Sequence, residues 1–585
     1  MNIENTSLLY GWVGLFICSL DFMACFGLTF TEKGKKDMVD FATKKQHYIK
    51  EINKIAKESF NDEQKELVRG ILDSATEANI DSLYTFVTQR VKTGFVFDAA
   101  PEVAHNCISL CERDNKRSFG NESGVHHKLI IGENYDVLKN LVATYTKNGK
   151  GLIDVIYIDP PYNTEKTAED GNDYKNEVKS EKFVYRDKFS RVGWLNMMKE
   201  RLELARKLLS DRGVIFISID DNEQAYLKVL CDEIFGENNF LGTLIIQTAT
   251  DNNKSQISTE HEYMLGYSRN SSKLNAWEVP TDKGKLIQAK YQELRETISD
   301  AGEIQKALSR WIRQNRDVLR GVEHYKYVDE QGVFYPGNPS NTKDGDYKYD
   351  IIHPVTGKIC KKPEKGYRWP QNTFNAAAQA GNVLWGEDET VIPKIKKRLD
   401  TATELLKSVY YEDGRIGTKV LEQIIGKNKF DHPKSKELLK RILKFASNKD
   451  SIVLDFFGGS GTTMQAVMEL NIEDDGNRQC ILVTNNENNI ATNVTYERIY
   501  RIVNGKGTNN EKFKWVYTKD KPYLTDNYVD VFNTNSYELK IDDYDKSQEL
   551  LDKARVEFKK LNPNYEWHDL DIYNHLASLK PYKKN

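Results

Sequence analysis

Short apolar runs that alternate with amphipathic stretches are the feature that most constrains the fold of this chain. The runs Lys128–Ile131, Leu152–Ile158 and Val214–Ile219 are unbroken, which is typical of strands buried on both faces. Before the third run, apolar residues from Trp194 to Leu209 recur every three or four positions and predict a helix that ends at Gly213. Helices between such strands cover both faces of a parallel sheet, so the chain is predicted to be an α/β protein.

The alternation is broken from about residue 270 to 400 and resumes near 430. Between these points a long charged helix around Lys285–Arg320 precedes short aromatic strands, which indicates an inserted α+β domain. The predicted divisions are therefore a helical region at 38–120, a first part of the core at 121–269, the inserted domain at 270–400, a second part of the core at 401–500, and an accessory domain at 501–585.

Residues 1–37 contain an apolar run, Leu8–Phe30, that is long enough to cross a bilayer. Asp21 lies in the middle of this run, where a carboxylate is costly in lipid, and no basic residue precedes the run as in a signal peptide. We therefore favour a buried segment, or a start codon assigned too far upstream with Met38 as the natural start, over a membrane anchor.

Composition excludes several classes of protein. The 84 basic and 87 acidic residues nearly cancel, which excludes a uniformly basic chromatin-type protein but leaves room for a local basic groove. Apolar residues make up 39% of the chain, enough to exclude global disorder. The seven cysteines are scattered, and the spacing of Cys107 and Cys111 is not that of a zinc knuckle. We expect no metal site and a reducing, cytoplasmic setting.

The tetrapeptide Asp159-Pro160-Pro161-Tyr162 directly follows a predicted strand. Ligands of open α/β sheets bind at the carboxyl ends of strands, where this motif falls. The Asp159 carboxylate and the Pro160 carbonyl can both accept from one –NH₂ group, and Tyr162 offers a face on which a planar ring can stack. These four residues are the candidate catalytic residues, and the alternative is a strand-ending turn in which Tyr162 is only packed.

A glycine-rich turn follows the predicted strand Ser451–Phe457 and precedes a helix. Glycines permit a tight turn and close approach of a ligand to the backbone, although the motif lacks the Lys-Ser/Thr ending of a phosphate loop. Glu487, after the next strand, is suited to binding a ribose diol. The alternative is a plain strand–helix turn. The candidate cofactor-binding residues of the turn are Asp455, Phe457, Gly458, Gly459, Gly461 and Thr462.

The two motifs together resemble those of the family of amino-methyltransferases that use S-adenosylmethionine to methylate exocyclic amines of DNA bases. Asp159 precedes Asp455 by about half the chain, an order similar to that of the β group of the family. The resemblance implies a Rossmann-like methyltransferase core with circularly ordered motifs and an inserted target-recognition domain. Accompanying motifs, such as Ser218–Asp221 and His261–Tyr263, make the chain most similar to the modification subunit of type III restriction–modification systems.

The resemblance also implies further cofactor contacts. His432 and Lys434 belong to a motif that contacts the methionine end of the cofactor, while Glu133 and Asn134 stand at the turn that contacts its adenine. Relatives more often have Gly-Asp at this turn, and they frequently have an acid where this chain has Asn486, which shifts the ribose role to Glu487.

The resemblance implies methylation of adenine N6 in double-stranded DNA, with the base flipped out of the stack. The basic and aromatic residues of 270–400 are the candidate surface for sequence recognition. A homodimer and a restriction subunit with translocase and nuclease activity are implied partners. Cytosine-N4 methylation, usually marked by Ser in place of Asp159, is one alternative; a non-catalytic DNA-binding specificity subunit, which should carry degraded motifs, is another. Protein glutamine or RNA methylation usually goes with the opposite motif order.

Overall fold

The structure of the chain is a computed structural model. It contains two compact units, Met1–Val96 and Phe97–Asn585. The described residues are 41–54, 62–80, 83–84, 104–163, 191–248, 257–519, 521–538, 544–566 and 576–578. In the first unit, helices α1 (Phe41–Lys54) and α2 (Asp62–Asp73) pack through a small apolar cluster that includes Ile52.

The apolar run Leu8–Phe30 lies outside the described residues, and so does all of 1–37. Within the described part of the chain, none of the helices combines the length and the apolar character that a bilayer crossing requires.

The second unit is built on one large sheet. Its strands in the described residues are β1 (Ala104–Arg113), β2 (Phe119–Gly120), β3 (Val125–Ile131), β4 (Ile153–Ile158), β5 (Leu209–Ile219), β6 (Phe240–Gln247), β7 (His261–Ser268), β8 (Val409–Tyr411), β9 (Ile452–Asp455), β10 (Gln479–Thr484), β11 (Asn527–Glu538) and β12 (Ala577–Ser578). The helices are α3 (Asn134–Thr144), α4 (Arg191–Leu208), α5 (Gln224–Phe235), α6 (Asp282–Thr297), α7 (Ala301–Gln314), α8 (Gln371–Gln379), α9 (Arg415–Ile425), α10 (Lys436–Ala446), α11 (Thr462–Asp474), α12 (Glu497–Asn504) and α13 (Tyr544–Leu561).

The strand order is β8-β6-β7-β5-β4-β9-β10-β3-β11-β1-β12, and β2 pairs with β11. The six strands from β5 to β11 in this order are parallel, and β7 runs antiparallel to β5 and β6. From β4 the chain crosses to β5 on one side, and from β9 it crosses to β10 on the other. The strand order therefore reverses between β4 and β9, which places a crevice at their carboxyl ends.

Both faces of the parallel strands are covered by helices. Ile156 and Ile158 of β4 pack with helices α3, α4 and α5 on one face, while Val155 and Tyr157 pack with α9, α10 and α11 on the other. Because successive side chains of a strand point to opposite faces, both sets must be apolar. This explains the unbroken apolar runs and confirms the predicted α/β class.

The predicted end of the helix after Trp194 is wrong. Helix α4 ends at Leu208, and Gly213 lies inside β5. The register of β4 and β5 shifts between Ile153 and Val155, and a Cβ at Gly213 would lie only 2.8 Å from the carbonyl oxygen of Ile153. The glycine therefore permits a close strand–strand approach and does not terminate the helix.

The segment between β7 and β8 forms small sheets and helices around two apolar clusters of its own. The single long helix predicted here is two helices, α6 and α7, because Asp300 caps α7 by accepting a hydrogen bond from the Glu303 amide at 2.8 Å. The short strands of the segment are Glu278–Pro280, Tyr327–Asp329, Gly332–Pro336, Val383–Leu384, Lys394–Arg398 and Thr403–Leu405.

The C-terminal part of the chain contributes a strand to the large sheet. Residues Asn527–Glu538 form β11, which lies parallel to β3 and antiparallel to β1. This strand of the segment 501–585, expected from the sequence to be an appended domain, is therefore part of the core sheet. Likewise β1 and β2 occupy the end of the region that was expected to be helical, 38–120.

Candidate active site

The loop after β4 carries the candidate catalytic residues, and neighbouring side chains hold it in place. The indole of Trp194 on α4 is fully buried and donates to the Pro161 carbonyl at 2.7 Å. Asn163 adopts a positive φ of 56° and donates to Glu223 at 2.7 Å. The Pro161 carbonyl is therefore already hydrogen-bonded within the protein. The candidate acceptor for an exocyclic amine remains the Pro160 carbonyl, as expected from the sequence.

Asp159 and Tyr162 belong to a compact polar cluster with two residues from distant segments. The Tyr162 hydroxyl lies 3.0 Å from the Asp159 carboxylate and 2.7 Å from that of Glu262, on β7. The ammonium of Lys434, from the loop before α10, makes a short contact with Glu262 and lies 3.4 Å from Asp159. It also contacts the Tyr162 hydroxyl and lies 4.8 Å from the centre of its ring.

Burial and charge act together on the ionisation of this cluster. Burial raises the pKa of Asp159, Lys434 opposes this rise, and the negative charge of Glu262 adds to it. Burial also acts to raise the pKa of Glu262, but the Lys434 ammonium outweighs it and holds that pKa below the usual range. The two carboxylates in turn raise the pKa of Lys434 despite its burial, so the lysine is charged at neutral pH.

The glycine-rich turn between β9 and α11 is held by Asp455. Its carboxylate is 3% exposed and accepts from the Phe457 amide at 3.0 Å and from the Thr463 hydroxyl. Burial, with a contribution from the charge of Asp159, raises the pKa of Asp455 to about 7. Gly461 is the N-cap of α11 and has a φ of 83°, a conformation that residues other than glycine rarely adopt.

A buried arginine that belongs to none of the predicted motifs supports the same turn. Arg498 on α12 donates to the Ser460 carbonyl at 3.1 Å and to the Thr462 hydroxyl at 2.8 Å. Its Nε donates to Gln465 at 2.8 Å. Burial lowers the pKa of Arg498 to about 9. The hydroxyl of Thr462 is therefore engaged by the protein, although the residue lines the cavity.

A second buried arginine supports the turn after β3. Arg201 on α4 forms an ion pair with Glu133 at 2.7 Å and donates to Asn134 at 2.6 Å. The Asn134 amide donates at 2.8 Å to the carbonyl of Phe456, directly before the glycine-rich turn. Glu133 therefore supports Asn134 indirectly, through Arg201. Of these two residues, only Asn134 lines the cavity.

These segments surround one cavity of about 560 Å³ at the carboxyl ends of β4 and β9. Its lining includes predicted site residues from five parts of the chain, whereas Glu133 and Gly461 are not among the lining residues. The predicted site residues that line it are Asn134, Asp159, Pro160, Pro161, Tyr162, His432, Lys434, Asp455, Phe457, Gly458, Gly459, Thr462 and Glu487.

Two further residues of the cavity, Glu262 and Phe430, have no predicted role. Glu262 lies in the quoted motif His261–Tyr263, but nothing in that motif indicates its pairing with a lysine 172 positions further on. Phe430 also lines the cavity, and a Cβ at Gly459 would lie 3.4 Å from its ring. Phe430 directly precedes the motif of His432 and Lys434, so its position in the sequence was a signal that could have been used.

Comparison with known families agrees with this geometry. The family model described as DNA methylase, which covers N6 and N4 methyltransferases, matches residues 153–493, more than half of the chain. The chain belongs to this family. Membership confirms the expected Rossmann-like methyltransferase fold and S-adenosylmethionine as the cofactor. A second model, of an uncharacterised conserved protein, matches residues 45–150.

Curated relatives share much of the sequence. The Mod subunit of the type III restriction–modification enzyme EcoP15I of Escherichia coli is 36% identical over 64% of this chain and 59% of its own length. The type II methyltransferase M.KpnI of Klebsiella pneumoniae is 29% identical over 69% of this chain and 88% of its own length. The chain thus spans about three fifths of the type III relatives that it matches.

Among solved structures, the crystal structure of an M1.HpyAVI–SAM complex shares 13% identity. The match covers 64% of this chain and 98% of that chain, with a TM-score of 0.29.

Proposed function

We propose that this protein transfers the methyl group of S-adenosylmethionine to N6 of an adenine in double-stranded DNA. The observation that carries the proposal is that Asp159 and Tyr162, at the end of β4, line the same cavity as the glycine-rich turn at the end of β9. An acceptor for an exocyclic amine therefore lies beside a turn suited to a nucleoside cofactor. The two relatives named above, with 36% and 29% identity, are the Mod subunit of a type III restriction–modification enzyme and a type II methyltransferase.

The residues of the cavity fit the cofactor. Glu487 supplies a carboxylate that can accept from ribose hydroxyls, the ring of Phe430 offers an apolar face, and Gly459 exposes backbone. The cofactor supplies an electrophilic methyl group on a sulfonium. We assign the methionine end to the neighbourhood of His432, whose backbone has an unusual positive φ of 48°.

The protein's own contribution is to present the amine. A base inside a duplex is out of reach, so the adenine must be flipped into the cavity. Tyr162 stacks on the flipped base, while the Asp159 carboxylate and the Pro160 carbonyl accept from its two N–H groups. These hydrogen bonds draw the nitrogen lone pair away from the ring and make the amine a better nucleophile. Positioning of this kind can contribute about 7–11 kcal/mol.

We further infer the biological setting of the reaction. The 30–36% identity to type III Mod subunits supports a modification subunit that acts with a restriction subunit in the cytoplasm. The segment between β7 and β8, with the basic helices α6 and α7, is the proposed surface for sequence recognition. We also propose a homodimer, in which one protomer recognises DNA while the other methylates. The aspartate at position 159 favours adenine over cytosine N4 as the target.

The test combines base identification with one substitution. Single-molecule sequencing of DNA from cells with and without the gene should reveal N6-methyladenine at one motif. The Asp159→Ala variant should lose methylation by at least about 10²–10³-fold, because a positioned acceptor is removed, while duplex binding stays unchanged. Asp211→Ala removes a surface carboxylate outside the cavity and should remain fully active. Full activity of Asp159→Ala, or marks on cytosine alone, would refute the proposal.

A further inference from the structure

Lys434 and Glu262 have an unexpected position in the site. The sequence resemblance assigned Lys434 to the cofactor, but its ammonium contacts Glu262, Tyr162 and Asp159 on the acceptor side of the cavity. We propose that Glu262 and Lys434 are positioning residues for Asp159: Glu262 holds the ammonium back from Asp159, and Lys434 keeps Asp159 ionised beside a second carboxylate. This inference rests on the proposed function and adds two residues to it.

The distances show an unequal sharing of the ammonium. Lys434 makes its short contact with Glu262, whereas its nitrogen lies 3.4 Å from Asp159, beyond a strong charge-assisted hydrogen bond. The Tyr162 hydroxyl, at 2.7 Å, ties Glu262 to the same cluster. Glu262 is therefore the main partner of the lysine, and Asp159 is the more available of the two carboxylates.

This sharing matters because the target amine and the Lys434 ammonium are attracted to the same carboxylate. The target amine must donate to Asp159, and a lysine bound tightly to that carboxylate would neutralise its charge and weaken it as an acceptor. The lysine cannot simply be absent, because the two carboxylates, whose side chains are 28% and 26% exposed and are joined through one hydroxyl, repel each other. One of them would then take up a proton, and a protonated Asp159 would have lost much of its strength as an acceptor.

The other ionisable groups near Asp159 do not supply the positive charge that Lys434 supplies. Burial, with a contribution from the charge of Asp159, raises the pKa of Asp455, on β9, to about 7, so below this pH the Asp455 carboxyl is mostly protonated. The titratable residues that line the cavity together with Asp159 are Tyr157, Tyr162, Asp220, His261, Glu262, Asp431, His432, Lys434, Asp455 and Glu487. Lys434 is the one cation among these that is charged across the neutral pH range.

The proposal predicts a pattern that a structural role would not produce. In Glu262→Gln the lysine should move onto Asp159, so that kcat falls about tenfold or more at all pH values, because the raised pKa keeps Lys434 charged. In Lys434→Met the two carboxylates face each other, so that kcat is low at neutral pH and recovers in alkaline buffer, its acid limb shifted upward by about one pH unit or more.

A double variant distinguishes a positioning role of Glu262 and Lys434 from a purely structural role. Glu262→Gln combined with Lys434→Met removes one negative and one positive charge, so that Asp159 has neither a competing ammonium nor a second carboxylate beside it. Its kcat at neutral pH should exceed that of either single variant by about tenfold. Lys434→Arg should keep the acid limb at its original pH. Matched controls are Glu260→Gln and Lys429→Met, which change neighbouring residues that are not among the residues lining the cavity.

The experiment measures single-turnover methylation from pH 6 to 9, with cofactor affinity and duplex affinity for each variant. Losses that multiply in the double variant, or a loss of cofactor affinity in Lys434→Met, would overturn the proposal and return the lysine to the cofactor site. If the wild-type protein methylates no adenine, the proposed function itself fails. The urea-unfolding coupling between positions 262 and 434 still reports the ion pair in that case.

Discussion

The pair Glu133–Arg201 offers a direct test of how the cofactor side of the cavity is held. Its guanidinium and carboxylate lie 2.7 Å apart, with side chains that are 1% and 4% exposed. Arg201→Met would leave a buried carboxylate without its ion-pair partner, which typically costs about 3–5 kcal/mol. The loss of the 2.6 Å hydrogen bond to Asn134 adds about 1 kcal/mol. We therefore expect this variant to be destabilised by about 4–6 kcal/mol.

The matched variant Arg201→Met with Glu133→Gln removes both charges. It should be less than half as destabilised as Arg201→Met, because no uncompensated charge stays buried. Asn134 would still be less well held, so both variants should bind S-adenosylmethionine more weakly than the wild type. Urea unfolding followed by far-ultraviolet circular dichroism and calorimetric titration of the cofactor provide the measurements. A single variant within about 0.5 kcal/mol of the wild type would refute the reasoning.

Two further predictions concern the glycine-rich turn. Gly461→Val places a β-branched residue at a φ of 83°, with its Cβ 3.2 Å from the Thr495 side chain. Cofactor affinity measured by calorimetry should therefore fall at least about tenfold. The control Gly414→Val, where a Cβ meets nothing within 4 Å, should bind the cofactor normally. The pKa of Asp455 is about 7 in the folded protein and about 3.8 in the unfolded chain. Its contribution to the free energy of unfolding is therefore full below pH 4 and is lost as the pH rises to 7. Asp455→Asn should therefore flatten the pH dependence of the unfolding free energy by up to about 4 kcal/mol over this window, and an unchanged dependence would contradict the burial of the charge.

Much of the fold could be predicted because its signals are local. The runs of β4 and β5 are apolar on both faces, and the motifs of Asp159 and Asp455 follow strands directly, so their meeting at one sheet edge follows from the α/β pattern. The adjacency of β4 and β9 confirms that meeting.

The supports of the site could not be predicted in the same way. Arg201 and Arg498 lie on helices whose apolar stripes are ordinary, and only the packed structure shows that these arginines point inward. The partner of Lys434 depends on a strand 172 positions earlier in the chain, so a motif alone assigned the lysine to the cofactor. Side-chain pairing across such separations has no periodic signature in a single sequence.

The position of β11 has a consequence for how the molecule is made. During synthesis, β3 and β1 emerge early but have no neighbour for their facing edges until residues 527–538 leave the ribosome. The nascent chain must therefore carry open strand edges for most of its translation, and such edges invite association with other chains. Removing the C-terminal residues to obtain a smaller protein would leave these strand edges open permanently.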